Sequence, residues 1–271
     1  MSDVLLRFAH ISDTHFAPEG HSHTFEEYPP EVMEVLKEAV ELMGQREMAP
    51  VLPASRALID AVNNTREPLD FVLHTGDVNT DPLGPDHYEV GKEIMAALKY
   101  PVYYLPCNHD NVRKKKKVLV GSAAPQVPYD YSFEVNGVQV ICLDSATHGV
   151  NHGGKLSEDQ LAWLQQQLVS SAERPVIVAV HHPLLKLGHK LLDFFGTSNG
   201  DDVHDILKQA LPRLRGVFFG HIHMDFESYV DGVLYSAVPS PSVEVGQATG
   251  YKVVTVTERG THIRHVSVPL G

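Results

Sequence analysis

Cysteine is nearly absent from this sequence: two residues, Cys107 and Cys142, occur among 271. So few over such a length exclude a disulfide framework and make a reducing compartment the expected setting. Basic side chains are also scarce. Lys and Arg number 22 against 34 Asp and Glu, a formal net charge of −12. Recognition of a phosphate backbone rests on clustered cations, so a nucleic-acid polymer is not an expected partner. The one basic run, 113–117, reads as a solvated loop. No apolar run is long enough to span a membrane. Residues 1–11 lack the charged, apolar and small-residue regions of a signal peptide. A cytoplasmic protein is expected. Repeats and low-complexity tracts are missing too.

What is present is a large apolar share and an excess of histidine. Hydrophobic residues make up 43% and run along the whole chain, enough for a sizeable core, and histidines number 17. Apolar segments of strand length alternate with amphipathic ones. Strands are predicted at 4–11, 70–74, 102–105, 176–180 and 216–219, and helices at 54–63 and 86–98. Such alternation implies an α/β fold with parallel sheet. Asn136-Gly137 between 131–135 and 138–143 predicts a hairpin. Ser157 and Gln160 predict a capping box opening a helix over 157–168. The segment from 227 to 268 is strand-rich. One domain over 1–271 is expected, with insertions at about 16–53 and 184–202. The first insertion contains an amphipathic stretch, Val32, Leu36, Ala39, Val40 and Met43, that serves equally well as a packed helix or a lid.

Five short motifs carry chemistry: Asp13-Thr14-His15, Gly76-Asp77, Asn108-His109-Asp110, His181-His182-Pro183 and Gly220-His221-Ile222-His223. Each follows a predicted strand, and open α/β sheets build their sites at the carboxyl ends of strands. Side chains two apart on an extended segment point the same way, so Asp-x-His and His-x-His can each serve one metal or two adjacent ones. Carboxylate and imidazole suit Fe, Mn, Zn or Co. A carboxylate can bridge two cations, and Asp77 is the natural candidate. Taken singly, Asp-x-His and Gly-Asp are common surface patterns; the ordered set of five carries the argument.

That order resembles the signature of calcineurin-like metallophosphoesterases. Residues 154–164 and 181–189 are similar to the branch containing bacterial cyclic-nucleotide phosphodiesterases and glycerophosphodiesterases. The resemblance implies a four-layer α/β/β/α sandwich with two facing mixed sheets. It also implies a binuclear centre: Asp13, His15 and His223 on one metal, Asn108, His181 and His221 on the other, and Asp77 bridging. His181 is preferred to His182 because related chains place the ligand two positions before a Pro. His109 would lie near the leaving oxygen and protonate it. Asn199 and His189 would contact substrate. The expected reaction is hydrolysis of a small phosphodiester, a cyclic nucleotide or a glycerophosphodiester, by attack of a metal-bound hydroxide. A phosphomonoesterase or nucleotide pyrophosphatase on the same site is the nearest alternative, and a non-catalytic metal-binding interaction module is the alternative of another class. Relatives of this kind form dimers or larger rings, and apolar residues of the first insertion suit a homo-oligomer.

One position departs from the pattern: Cys107 stands where the family usually has Gly before Asn-His. Inert packing of its thiol is the plainer expectation. Among the other histidines, His10 and His74 are expected to be buried within strands. His87, His204, His262 and His265 are expected at the surface or on helices. His148 and His152 are expected in loops near the site, and His21 and His23 in the first insertion.

Overall fold

The computed structural model describes residues 4–17, 37, 51–79, 87–105, 107, 119, 129–147, 153–171, 173–242 and 248–269. Two mixed sheets organise them. The first contains β1 (Val4–Ile11), β2 (Phe71–His74), β3 (Val102–Tyr104), β10 (Thr249–Thr257) and β11 (Thr261–Val268), in the order β11-β10-β1-β2-β3. The second contains β4 (Tyr131–Val135), β5 (Val138–Leu143), β6 (Val176–Val180), β7 (Leu214–Phe219), β8 (Phe226–Val230) and β9 (Val233–Ala237), in the order β4-β5-β6-β7-β9-β8. In the first sheet β1, β2 and β3 run parallel, and in the second β5, β6, β7 and β9 do. The hairpin at Asn136-Gly137 forms, with φ of 51° and 80° at its two residues. Those left-handed values match the right-handed twist of the flanking strands.

Helices α1 (Val51–Asn63) and α2 (Tyr88–Met95) close a core with the first sheet, through Leu58, Ile59, Val62, Ile94 and Met95 against Ala9, Ile11 and Val253. Helices α3 (Glu158–Ser170) and α5 (Gly200–Lys208) do the same on the second, through Leu164, Leu168, Val203 and Leu207 against Val178, Val180 and Val217. A third core joins the sheets to each other. There Phe8 stacks on Phe71 at 5.1 Å and meets Phe218 edge-on at 5.2 Å. This is the packing that the expected four-layer arrangement requires. The capping box opens α3, where Ser157 Oγ accepts from the Gln160 amide and the Gln160 side chain accepts from the Ser157 amide. Among the described residues no helix is long and apolar enough to cross a membrane.

Some expectations need correction. The 184–202 segment is not one loop: it holds the short helix α4 (Lys190–Phe194) and the start of α5. Asp201 and Asp202 in the first turn of α5 suit its dipole, and Val203 and Leu207, one turn apart, bury one stripe. The Gly-rich approach to α5 hid it in the sequence. His204 lies on a helix, α5, which was one of the two places expected for it, and its ring is buried there, with Nδ1 2.7 Å from Tyr235 Oη and Nε2 3.2 Å from Asp231 Oδ2. His87, just before α2, is buried too. Most of the 16–53 insertion, including its amphipathic stretch, lies outside the described residues, as do His21, His23, His148 and His152.

Candidate metal centre

Four parallel strands, two from each sheet, deliver the motif residues to one place. Asp13 and His15 follow β1, Asp77 follows β2, His181 follows β6, and His221 and His223 follow β7. The turns that carry them are unusual. Asp13, His15, Asp77, His221 and His223 have φ of 53°, 42°, 50°, 68° and 54°. Among the described residues the other non-glycine positions of this kind are Asn136 and Asp231, both at hairpins. Left-handed backbone at such residues costs on the order of 1 kcal/mol each and persists only where surrounding contacts enforce it. Those contacts are present. The His221 amide donates to Asp13 Oδ1 and Oδ2 at 3.1 and 3.0 Å, and Ser240 Oγ donates to the Asp13 carbonyl at 2.6 Å. Asp13 N–H donates to the Gly76 carbonyl at 3.0 Å. Two glycines allow the close approach. A Cβ at Gly220 would lie 2.0 Å from Ser12 Oγ, and one at Gly76 2.5 Å from His181 Nδ1.

The side chains form two groups sharing Asp77. In the first, ligand atoms of Asp13, His15, Asp77 and His223 all lie within 4.8 Å of one another. His15 Nε2 faces His223 Nε2 at 3.0 Å, and lies 3.7 Å from Asp77 Oδ2. In the second, His181 Nε2 is 3.3 Å from Asp77 Oδ2 and 3.2 Å from His221 Nδ1. The Thr75 carbonyl accepts a hydrogen bond from His181 Nδ1 at 2.8 Å. A carbonyl can only accept, so Nδ1 carries a proton there and Nε2 points inward, toward Asp77 and His221. His182 turns its Nδ1 to Ser145 Oγ at 2.8 Å, although it also groups with His181 and His221.

Charge is concentrated here. Burial alone would raise the Asp13 carboxyl, but the charge and hydrogen bond of His223, then His181, hold it well below the usual carboxylate range. Burial opposes protonation of His181, yet Asp77, then Asp13 and the Thr75 carbonyl, push it up to about 9. His223 rises for the same reason, with Asp13 overcoming burial. Burial, then the charge of His181, pushes His221 down to about 3, so that imidazole is neutral. Buried carboxylates thus draw protons onto neighbouring imidazoles, and a metal ion competes for the same lone pairs. Ring nitrogens that face each other at 3.0 and 3.2 Å are the arrangement a shared cation relieves. The donor set fits divalent ions with a taste for imidazole and carboxylate.

Other residues fall elsewhere. Asn108 and His109 lie outside the described residues. Asn199 uses both ends of its amide on Leu156, accepting from the amide at 3.1 Å and donating to the carbonyl at 2.8 Å. His189 is exposed just before α4. His10 and His74 are buried and bonded to Thr75 and Thr14, as expected of strand histidines. Sequence reasoning missed Ser240, which has no local signal, and underrated Cys107, whose thiol touches Asp77.

Fold and site together define a class: an α/β protein with a cluster of His and Asp at its strand ends that can hold metal ions. The sequence profile of the Calcineurin-like phosphoesterase family matches residues 6–225. The chain belongs to this family of metal-dependent phosphoester hydrolases. It is 28% identical over 220 residues to the glycerophosphodiester phosphodiesterase GpdQ of Enterobacter lignolyticus, covering 79% of this chain and 70% of that one. It is 30% identical over 194 residues to the 3',5'-cyclic adenosine monophosphate phosphodiesterase CpdA of Vibrio vulnificus, covering 71% and 69%. In fold it is similar to a dimetal phosphatase from Danio rerio, with a TM-score of 0.73, 13% identity and coverage of 99% and 100%.

Proposed function

We propose that the chain hydrolyses a small phosphodiester at a binuclear metal centre. The observation that carries this reading is the placement of Asp77 between two groups of ligands, one with Asp13, His15 and His223 and one with His181 and His221. In this reading Asp77 bridges, and Asn108 completes the second group. Fe, Mn, Zn and Co all match the donors. Bound ions in such a pair would activate water and neutralise charge on the phosphoryl oxygens. The chain's own residues do the rest. The His221 amide and Ser240 lock Asp13, and the Thr75 carbonyl fixes the tautomer of His181. His109 would hold a proton for the leaving oxygen. The complete set of acidic and imidazole donors argues against a non-catalytic interaction module.

Both relatives named above act on diesters by their names, which favours a diester over a monoester. Within diesters, a cyclic nucleotide fits better than a glycerophosphodiester. The Phe195 ring lies 6.3 Å from His221 and meets Phe194 edge-on at 5.0 Å. Aromatic surface beside the metals suits stacking of a base. Asn199, tied to Leu156, would shape that loop rather than reach far into the pocket.

The test is hydrolysis of bis-p-nitrophenyl phosphate against mono-p-nitrophenyl phosphate, by metal-stripped protein with and without Mn²⁺. Activity that requires the ion and prefers the diester is expected. Activity without any divalent ion, or preference for the monoester, would overturn the reading. His109→Ala should lower turnover about 10²-fold while metal content stays unchanged, as expected for loss of a positioned proton donor. Loss of metal from that variant, measured by atomic emission, would make His109 a ligand instead.

A further inference from the structure

We propose that Cys107 is a positioning residue that selects which oxygen of Asp77 serves the metals. The proposal rests on the binuclear reading above. Cys107 occupies the place where the family usually carries Gly, and it is 1% exposed. Its sulfur meets Asp77 at two points. The Asp77 amide donates to Sγ at 2.6 Å, and the thiol donates to Asp77 Oδ1 at 2.5 Å. Oδ2 is left facing His181 Nε2 at 3.3 Å and His15 Nε2 at 3.7 Å, one from each ligand group.

The terminal torsion of an Asp carboxylate is broad and roughly two-fold, so unassisted it presents either oxygen. A donor fixed on Oδ1 removes that choice. It would leave Oδ2 as the oxygen offered to both ligand groups, with Oδ1 held by the thiol. Glycine at this position has no side chain to do so. The amide contact works in the same direction by tying Sγ to the backbone of Asp77, whose φ is 50°. Space for the thiol comes from Gly76: a Cβ there would lie 3.0 Å from Cys107 Cβ. Partners that hydrogen-bond a metal ligand orient it and tune its affinity.

Sγ also groups with Asp77 and His181 within 4.8 Å, close enough to consider direct ligation. Cobalt distinguishes the two roles. The experiment titrates Co²⁺ into metal-stripped protein and follows the visible and near-ultraviolet absorption, with affinity measured by competition against a chelator. Variants are Cys107→Ala, Cys107→Ser, Cys107→Gly and, as a control on the other thiol, Cys142→Ala. Unfolding midpoints in chelator confirm that each variant folds. Cys107→Ala and Cys107→Gly should bind the weaker Co²⁺ about 10-fold less tightly, the low end of the loss seen when a ligand's hydrogen-bond partner is removed. Their visible bands should change. Cys107→Ser, which keeps a donor, should restore most of both. Equal affinity and spectra in the unaltered chain and in Cys107→Ala would reduce Cys107 to packing. A thiolate-to-cobalt charge-transfer band, lost in both Cys107→Ser and Cys107→Ala but kept in Cys142→Ala, would make it a ligand and overturn the positioning role. Failure of the unaltered chain to bind Co²⁺ at all would sink the binuclear reading itself, a result separate from the other two.

Discussion

An Asp77→Asn variant is expected to fold, to hold fewer metal ions per chain, and to hydrolyse bis-p-nitrophenyl phosphate about 10³-fold more slowly, the equivalent of ~4 kcal/mol of lost transition-state stabilisation. Asn preserves the shape of the side chain and tolerates left-handed backbone, which the φ of 50° demands. What it removes is charge. The anion beside His181 and His15 disappears, and with it the group shared by both ligand sets. Asp77→Ala should lose as much activity and, in addition, about 1 kcal/mol of stability, because Ala resists the left-handed turn. Metal content by atomic emission and steady-state rates across a range of Mn²⁺ concentrations separate the two contributions. If Asp77→Asn loses activity that excess Mn²⁺ restores fully, Asp77 contributes to metal affinity alone. If it retains full metal and near-normal rates, the bridge lies elsewhere.

The site was legible in the sequence to the extent that its residues are local to buried strands. An apolar run such as Phe71–His74 announces itself, and the residues just past it, Thr75-Gly76-Asp77, fall at the strand end by default. The hairpin at Asn136-Gly137 and the cap at Ser157 are equally local, and both form. Tertiary pairing hid the rest. Nothing near His204 in the chain points to Tyr235 or Asp231, which come from a hairpin on a different element. The five left-handed residues at the metal cluster were also invisible, because Asp and His adopt that backbone far less readily than Gly and so do not mark it. They reflect a demand of the site: consecutive ligands must leave a strand end and turn at once toward a common point. Cys107 was noticed only as a departure, and its bond to Asp77 needed the fold to bring β2 and β3 side by side.

Lys252 is the clearest case of a residue whose role the chain order conceals, and it makes the second large prediction. It lies on β10, in the sequence Tyr251-Lys252-Val253, where alternation would place a lysine toward solvent. β10 is an interior strand, and Lys252 is fully buried against the second sheet. Its Nζ donates to Ser236 Oγ at 3.0 Å, the Phe226 carbonyl at 3.1 Å and Glu227 Oε1 at 2.9 Å, and lies 2.7 Å from Asp225 Oδ1. One side chain of the first sheet thus fastens β8 and β9 of the second, two residues beyond His223. Burial, with the charge of Lys252 next, also keeps nearby His10 well below its usual value and therefore neutral. Lys252→Met should cost about 3 kcal/mol, the low end for removing one partner of a buried pair. The low end applies because Asp225 and Glu227 are about half exposed and can rehydrate, whereas Ser236 cannot. At this chain length that is a fall in melting temperature of roughly 5 °C, to be read by calorimetry in chelator so that metal binding does not contribute. A second consequence follows from position: the segment carrying His221 and His223 loses its tether to β10, so Co²⁺ affinity should weaken as well. A change under about 1 kcal/mol, within the range of an ordinary surface substitution, would mean that apolar contacts such as Phe8 against Phe218 hold the two sheets together without the ion pair.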